Sequence, residues 1–429
     1  MNYYDYLNNQ MLIALGCTEP IAIAYASARC KEILGGEPEK IIARLSGNII
    51  KNANSVKVPG TNGGKGIEIS IATGTFLGDS KKELEVLSNI DKSKLNICYD
   101  FINKGSIEVQ LVKDVPGLYI DIEMFNKSEN SRVIIKESHN NIVKEFKNGK
   151  IIFEKLEDEY GNTEEHIDFN FDDIYNFSKN CNLENLKDIL DKEIEYNYEI
   201  AKEGLENDWG SNIGKLVLAQ AREDNNEKLV AYAAAGSDAR MSGCEKPVVI
   251  NSGSGNQGMT VSVPIIVYCK DNNIDKELHY RGLIFANLIG LYIKQGIGKL
   301  SAYCGVIPAA TAAVAGIAFV KGEDLDLIKD LVINSLATNS GIICDGAKPS
   351  CAMKIASSLK MAFLAYEQAK TNNSFKFGDG IVKSNVDETI MTIGNIAMNG
   401  MKETDVVILN EMLKNWFSII IYRKEVKYE

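Results

Sequence analysis

The stretch L-S-A-Y-C-G-V-I-P-A-A-T-A-A-V-A-G-I-A-F-V, Leu300 to Val320, carries no charge and is bounded by Lys299 and Lys321. It is nearly long enough to span a bilayer. Its composition argues otherwise. Ala, Gly, Ser and Thr dominate it, and Cys304 and Pro308 interrupt its start. A stretch that is apolar all round must be covered all round, so it reads as a buried small-residue helix at the heart of a soluble bundle.

Working outward, helical patterning covers most of the C-terminal half: Asn182 to Lys202, Asp275 to Lys294, Leu325 to Leu336, Cys351 to Lys370 and Asp387 to Asn399. The first 36 residues read as two helices. The second opens at G-C-T-E-P, Gly16 to Pro20, with Thr18 as N-cap and Pro20 in the first turn. Between these parts the pattern changes. Glu39 to Ile50 holds a β-branched run, and a helix is expected within Ile67 to Leu87. Short alternating runs follow: Ile107–Val112, Leu118–Phe125, Ser131–Glu137 and Ile142–Phe146. Asn148-Gly149 is a hairpin signal. The expected fold is α+β. A mainly helical domain is formed from residues 1–37 and 171–429, and an antiparallel-sheet α/β domain is inserted over residues 38–170. Glu157 to Asp172 reads as an acidic linker or exposed loop. The tail from Trp416 is β-rich and out of character with the helices before it.

Composition narrows the partners. An apolar fraction of 45% with 24% charged residues suits a soluble globular protein. A net charge of -11 without an Arg-rich cluster argues against nucleic acid. The start, M-N-Y-Y-D-Y-L-N-N-Q, lacks the basic end and apolar run of a signal peptide. Nine cysteines without such a signal read as intracellular thiols, so a cytoplasmic protein with no membrane association is expected. There is no C-x-x-C pair. The histidines, His139, His166 and His279, lie in strongly polar segments, which argues against a His-based metal site or a Ser–His triad.

Five constellations carry chemistry, and each has a plainer alternative. Cys304 (in L-S-A-Y-C-G-V-I-P), Cys344 and Cys351 (in G-I-I-C-D-G-A-K-P-S-C-A-M-K) sit at loop–helix junctions. Three thiols so presented suit a soft metal or an iron–sulfur cluster, and a cluster of four irons on three thiolates keeps one iron open. Three inert buried cysteines are the alternative. Cys17 lies at a helix start, where the N-terminal field would lower its pKa; otherwise it is a small buried residue beside a cap. The loop N-S-G-S-G-N-Q-G matches G-x-G-x-x-G at Gly253, Gly255 and Gly258. A dinucleotide site there is disfavoured, because Pro264 and β-branched residues follow where a helix is required. Its backbone N–H groups, with Asn251, Ser252, Gly253, Ser254, Gly255, Asn256 and Gln257, instead suit a carboxylate; a tight interdomain turn is the alternative. Arg240, in G-S-D-A-R-M-S-G-C, could clamp a carboxylate bidentately or pair with Asp238 or another acid. Lys51, Lys57 and Lys65 lie among glycines in a loop that suits an anionic small molecule or is merely solvated.

Together G-C-T-E-P, K-N-A-N-S-V-K-V-P-G-T, S-D-A-R-M-S-G-C, N-S-G-S-G-N-Q-G, L-S-A-Y-C and I-C-D-G-A-K-P-S-C-A-M-K resemble the L-cysteine desulfidase family of bacteria and archaea. That family is related to the α part of the iron–sulfur L-serine dehydratases. The resemblance runs from about Cys17 to Leu413. It implies an oxygen-sensitive [4Fe–4S] cluster, no pyridoxal phosphate, and release of sulfide, ammonia and pyruvate from L-cysteine. The dehydratase cluster thiols fall on Cys304, Cys344 and Cys351, though their last two cysteines are further apart than here. Cys17 matches a cysteine typical of the desulfidases, where the dehydratases carry a Ser/His-rich turn. It is either catalytic or a fourth iron ligand displaced by substrate, and Glu19 beside it is the candidate for proton transfer. Lys51, Arg240 and the Asn251–Gln257 loop are the expected substrate contacts. The expected partner is a small amino acid, and a homodimer is one assembly the resemblance allows. An L-serine ammonia-lyase is the alternative within the class. An NAD-dependent oxidoreductase and a non-catalytic iron–sulfur sensor are the alternatives outside it.

Overall fold

A computed structural model describes residues 2–115, 117–156, 167–221, 225–298 and 300–414. Most of the expected acidic linker, His166 and the tail from Trp416 lie outside the described residues. The N-terminal part runs α1 (Tyr3–Gln10), β1 (Ile13–Leu15), α2 (Thr18–Leu34), β2 (Lys40–Ser46), α3 (Gly47–Ala53), α4 (Ile67–Leu77) and α5 (Leu95–Asn103). The strands β3 (Ile107–Val112), β4 (Tyr119–Phe125), β5 (Asn130–Lys136), β6 (Ile142–Lys147) and β7 (Lys150–Glu154) follow. The remainder is helical apart from one strand: α6 (Phe171–Asn180), α7 (Lys187–Glu206), α8 (Ile213–Gln220), α9 (Asn225–Met241), β8 (Pro247–Val249), α10 (Gly255–Asp271), α11 (Lys276–Ile297), α12 (Val306–Val320), α13 (Leu325–Asn339), α14 (Cys351–Lys370), α15 (Val386–Asn395) and α16 (Lys402–Lys414). The class is α+β and mainly helical, as expected.

The uncharged stretch becomes α12, buried along its whole length and packed by α10, α11, α13 and α14. Among the described residues no helix is long and apolar enough to cross a membrane. The sheet departs from expectation in one respect. Its order is β3-β2-β4-β5-β6-β7, and β2 pairs parallel with β3 while every other neighbouring pair is antiparallel. The reason is connection length. A parallel return needs a long crossover, and α3, α4 and α5 supply one between β2 and β3, whereas β3 to β7 are joined by short turns. Asn148 and Gly149 turn β6 into β7 with φ of 52° and 73°, the paired positive angles of a type I′ turn. Helix α2 lies on β4 and β5, and one apolar core runs from the inner sheet face through α2 into the helical body.

The segment after Gly258 is a second departure. Met259–Val267 is helical despite Pro264 and its β-branched residues, because α10 is buried almost throughout. Burial on all faces outweighs a small propensity deficit. A strand, a Gly-rich turn and a helix therefore do follow one another here. Yet β8 pairs only with β1, antiparallel, so the parallel βαβ unit of a dinucleotide site is missing among the described residues.

Strand β8 is held from its other side by Asn197 of α7, which accepts from Val249 N at 2.8 Å and donates to Val249 O at 3.1 Å. Beyond it, Asn251 Nδ2 donates to Asn287 Oδ1 at 2.9 Å, and Asn287 Nδ2 donates to both oxygens of Glu193 at 3.1 Å. Burial raises the Glu193 carboxyl to about 8, against the lowering effect of Asn287. In the fold it therefore keeps a proton that the unfolded chain releases above about 4.3. The native state binds more protons across that window, so stability falls as pH rises from about 4.3 to about 8 and is flat above it. Glu193→Gln stays neutral throughout. Its stability relative to wild type should improve by up to about 1.4 kcal/mol per pH unit over that window, read from urea midpoints. Parallel midpoint curves for the two proteins between these limits would refute this.

Candidate functional site

Cys304 and Cys344 are far apart in sequence and adjacent in space because the backbone locks them together. Tyr303 and Ile343 form an antiparallel bridge. Cys304 N donates to Ile342 O at 3.0 Å and Cys344 N donates to Ala302 O at 2.7 Å. Cys351 is the first residue of α14, reached through the loop Asp345–Ser350. That loop leans on α3. Lys348 Nζ donates to Lys51 O at 3.0 Å, and Gly346, at φ 90°, lies so close that a Cβ would stand 2.5 Å from the same oxygen. The three thiols and Cys17 line one cavity of about 90 Å³. Among the described residues no three His, Cys, Asp or Glu side chains converge as ligands of a single ion. A four-iron cluster spreads its thiolates over separate irons and does not need that convergence.

The hydrogen bond between Cys304 and Cys344 draws Cys344 towards thiolate, with help from Lys51, and pushes Cys304 up. Burial pushes the Cys351 thiol up. It also pushes Cys17 well up, with the charge of Glu19 adding to it. The expected lowering at these two helix starts does not occur in the protein as described. Desolvation of a fully enclosed thiolate outweighs the field of one helix terminus.

The same cavity is lined by a buried guanidinium and a Gly-rich turn. Arg240 is 2% exposed; its Nη1 donates to Asn256 Oδ1 at 3.2 Å, while Nε and Nη2 have no partner. Among the described residues it forms no ion pair. Asp238 instead accepts from Gly214 N at 3.0 Å. The guanidinium lies flat on Gly255, where a Cβ would come within 2.4 Å of Nε. Ser254 caps α10. Ser252, Gly253, Ser254, Asn256 and Gln257 line the cavity with Arg240. Asn251 does not, since its amide is turned to Asn287, and Gly255 serves as the floor under the guanidinium. Lys51 lines the cavity too, but its ammonium is paired with Asp405 of α16 at 2.5 Å.

Glu19 joins the two sides. Its Oε2 accepts from Cys17 Sγ at 3.1 Å and Thr18 Oγ1 at 3.2 Å, and its Oε1 accepts from Asn52 Nδ2 at 2.9 Å. Thr18 Oγ1 also reaches Gly253 O at 3.0 Å. Cys17, not Thr18, is the N-cap residue of α2, which leaves Thr18 free for these bonds. Burial pulls the Glu19 carboxyl up, but its neighbours His139 and Cys17 outweigh that and hold it well below the usual carboxylate range.

The family model for the serine dehydratase alpha chain matches residues 81–410. The chain belongs to the serine dehydratase alpha chain family. It is 45% identical to a UPF0597 protein of Finegoldia magna over 96% of this chain and 99% of that one. A UPF0597 protein of Desulfitobacterium hafniense is 44% identical over 96% of each chain. One of Porphyromonas gingivalis is 32% identical over 95% of this chain and 96% of the relative.

This serine dehydratase alpha chain family member also gathers residues that the sequence did not single out. His139 is 6% exposed and stands with Nε2 3.7 Å from Glu19 Oε1, an ion-pair distance. Its S-H-N-N surroundings read as a solvated turn, which is true of the sheet alone and not once the turn is laid against α2. Lys294, on α11, lines the cavity and is pulled down to about 8 by burial, opposed by Cys344 and Cys304. A signal for it existed: a lone lysine in the apolar run of α11. Asn52 and Lys348 complete the set. Gly346→Ala should destabilise the fold by about 1–3 kcal/mol through its positive φ and its contact with Lys51 O. Urea unfolding checks this, and an unchanged midpoint would show that the loop can move off α3.

Proposed function

We propose that the protein is a [4Fe–4S]-dependent lyase that eliminates sulfide from L-cysteine to give pyruvate, ammonia and hydrogen sulfide. One observation carries the reading: a buried guanidinium with two unpaired nitrogens faces three cysteine thiols across one small cavity. An amino-acid carboxylate satisfies the guanidinium, and the β-substituent then points at the thiols.

The donor set suits the cluster. Cys304, Cys344 and Cys351 are soft sulfur donors that would hold it. Lys51, Lys294, Lys348 and Lys354 surround them and offset the negative charge of thiolates. Bound there, it supplies a Lewis-acidic iron for the leaving sulfur. The rest falls to the chain. Arg240 and the turn that opens α10, apart from the Ser254 and Gln257 N–H groups that already donate to Asn251 O and Ser254 Oγ, take the carboxylate and orient the α-carbon. Glu19 and Cys17 form the hydrogen-bonded pair beside it through which a proton is held or passed. The thiols, Glu19 and Arg240 are all largely buried, which limits bulk water at the reacting atoms. Aminoacrylate, once released, hydrolyses in water to pyruvate and ammonia.

L-Serine is the second reading, favoured by the match to the serine dehydratase alpha chain. Competition between the two amino acids on one anaerobically reconstituted preparation, with pyruvate and sulfide both measured, decides between them. Higher kcat/KM for serine would overturn the substrate and leave the lyase chemistry standing. The wild type should be brown and hold about four irons per chain, and Cys304→Ala, Cys344→Ala or Cys351→Ala should each abolish the colour. Full iron in all three variants would refute the ligand set. Arg240→Lys should lower kcat/KM about 10–100-fold, because a bidentate contact is lost, with iron content unchanged. Wild-type kcat/KM in that variant would make Arg240 structural.

A further inference from the structure

We propose that His139, carried on the β5–β6 turn, is the base that takes the substrate α-proton, with Glu19 stabilising the imidazolium that forms. This rests on the lyase reading above.

His139 is the one histidine that the described residues bring to the cavity. It is enclosed, yet its Nε2 has no hydrogen-bond partner. A histidine kept for packing or structure satisfies its buried nitrogens. This one borders the cavity that Arg240 and the thiols also line, with Nε2 3.7 Å from Glu19 Oε1. Its ring lies over Gly253, where a Cβ would stand 3.2 Å from Cε1 and 3.4 Å from Nδ1. The imidazole is therefore held against the loop that, with Arg240, would fix the substrate carboxylate. An α-carbon sits one bond from its carboxylate, so a base for the α-proton belongs beside that loop.

The turn is built to hold the ring still. Glu137 adopts φ 65°, rare for a side-chain-bearing residue. Ser138 N donates to Lys136 O at 2.7 Å and Asn141 N to Ser138 O at 3.1 Å. Asn140 Nδ2 anchors the tip to Glu83 Oε2 at 2.8 Å. A backbone in a sparsely populated region, pinned from several sides, is typical of functional positions.

The position also joins two cavities. A larger neighbouring cavity of about 410 Å³ is lined by Tyr6, Asn9, Glu137 and Asn140 among others. Among the described residues only His139, Ser252, Gly253 and Lys294 line both. Of the two that carry a basic nitrogen, Lys294 stands in the field of Cys304 and Cys344, where it balances thiol charge. Glu19 already accepts from Cys17, Thr18 and Asn52, so it is placed to share a proton with Cys17 and to balance the imidazolium rather than to take the α-proton itself.

The step balances. The Cα–H bond breaks and its proton goes to His139 Nε2. The electron pair forms the Cα=Cβ bond, and the Cβ–S pair departs on sulfur. The imidazolium returns its proton to water after release, and no oxidant or reductant is consumed.

The test uses the full chain, reconstituted anaerobically, with His139→Ala and the polar His139→Asn as the second variant. Both are read on protein that matches wild type in iron content and melting temperature. Either should lose about 10²–10⁴-fold in kcat/KM for L-cysteine, the usual contribution of a positioned base. Added imidazole should restore part of the His139→Ala rate, and 2-deuterio-L-cysteine should show a larger primary isotope effect than in wild type. A variant with wild-type kcat/KM overturns the role. So does a slowed variant with neither rescue nor a larger isotope effect, which would make His139 structural. Wild-type protein that forms no pyruvate from L-cysteine or L-serine sinks the lyase reading, and this role with it. An active wild type with unaffected variants sinks the role alone.

Discussion

A guanidinium that is 2% exposed and only partly paired is the constraint around which this protein is arranged. An uncompensated buried charge costs several kcal/mol, and among the described residues no acid pairs with Arg240. Asp238, two residues before it, is turned to the backbone of α8. The N-terminus of α10 adds further positive potential on the same side. Lys51, Lys294 and Lys348 extend it. The interior of a chain with net charge -11 is thus locally electropositive. Global charge says nothing of this pocket, because a few desolvated groups set the local field.

Among the described residues, Glu19 is the single acidic one lining the smaller cavity. It is tied to α2 by Thr18, to α3 by Asn52 and to the sheet by His139, while Thr18 reaches the Gly-rich loop. Four parts of the chain therefore meet at one carboxylate. This gives the sheet a part beyond packing. Its β5–β6 turn delivers an imidazole to a site otherwise built from helices and loops. The shared core between sheet and α2 keeps that delivery rigid.

The helical body, the Asn148-Gly149 hairpin, the buried α12 and the loop–helix positions of Cys304 and Cys351 were legible in the sequence, because each follows from local pattern; Cys344 lies instead in a loop beside the Tyr303–Ile343 bridge. The parallel β2–β3 pair was not, since strand pairing across a crossover leaves no mark on either strand. Neither was the helical state of Met259–Val267, where burial on every side decides against local propensity. The thiol acidities expected at two helix starts also failed. Dipole position can be read from a motif, but desolvation cannot.

Sequence alone determined which residues are chemically able to act: soft thiols at breaks, a lone arginine among small residues, and a glycine loop with exposed N–H groups. Tertiary structure decided which of them share a space. It set Cys304 beside Cys344 through the Tyr303–Ile343 bridge, turned Asn251 away to Asn287, committed Lys51 to Asp405 and brought His139 to Glu19. The physical reason is range. Propensity, capping and turn chemistry act over a few residues of chain. A cavity is assembled from segments hundreds of residues apart, whose meeting depends on packing, and packing is a property of the whole fold.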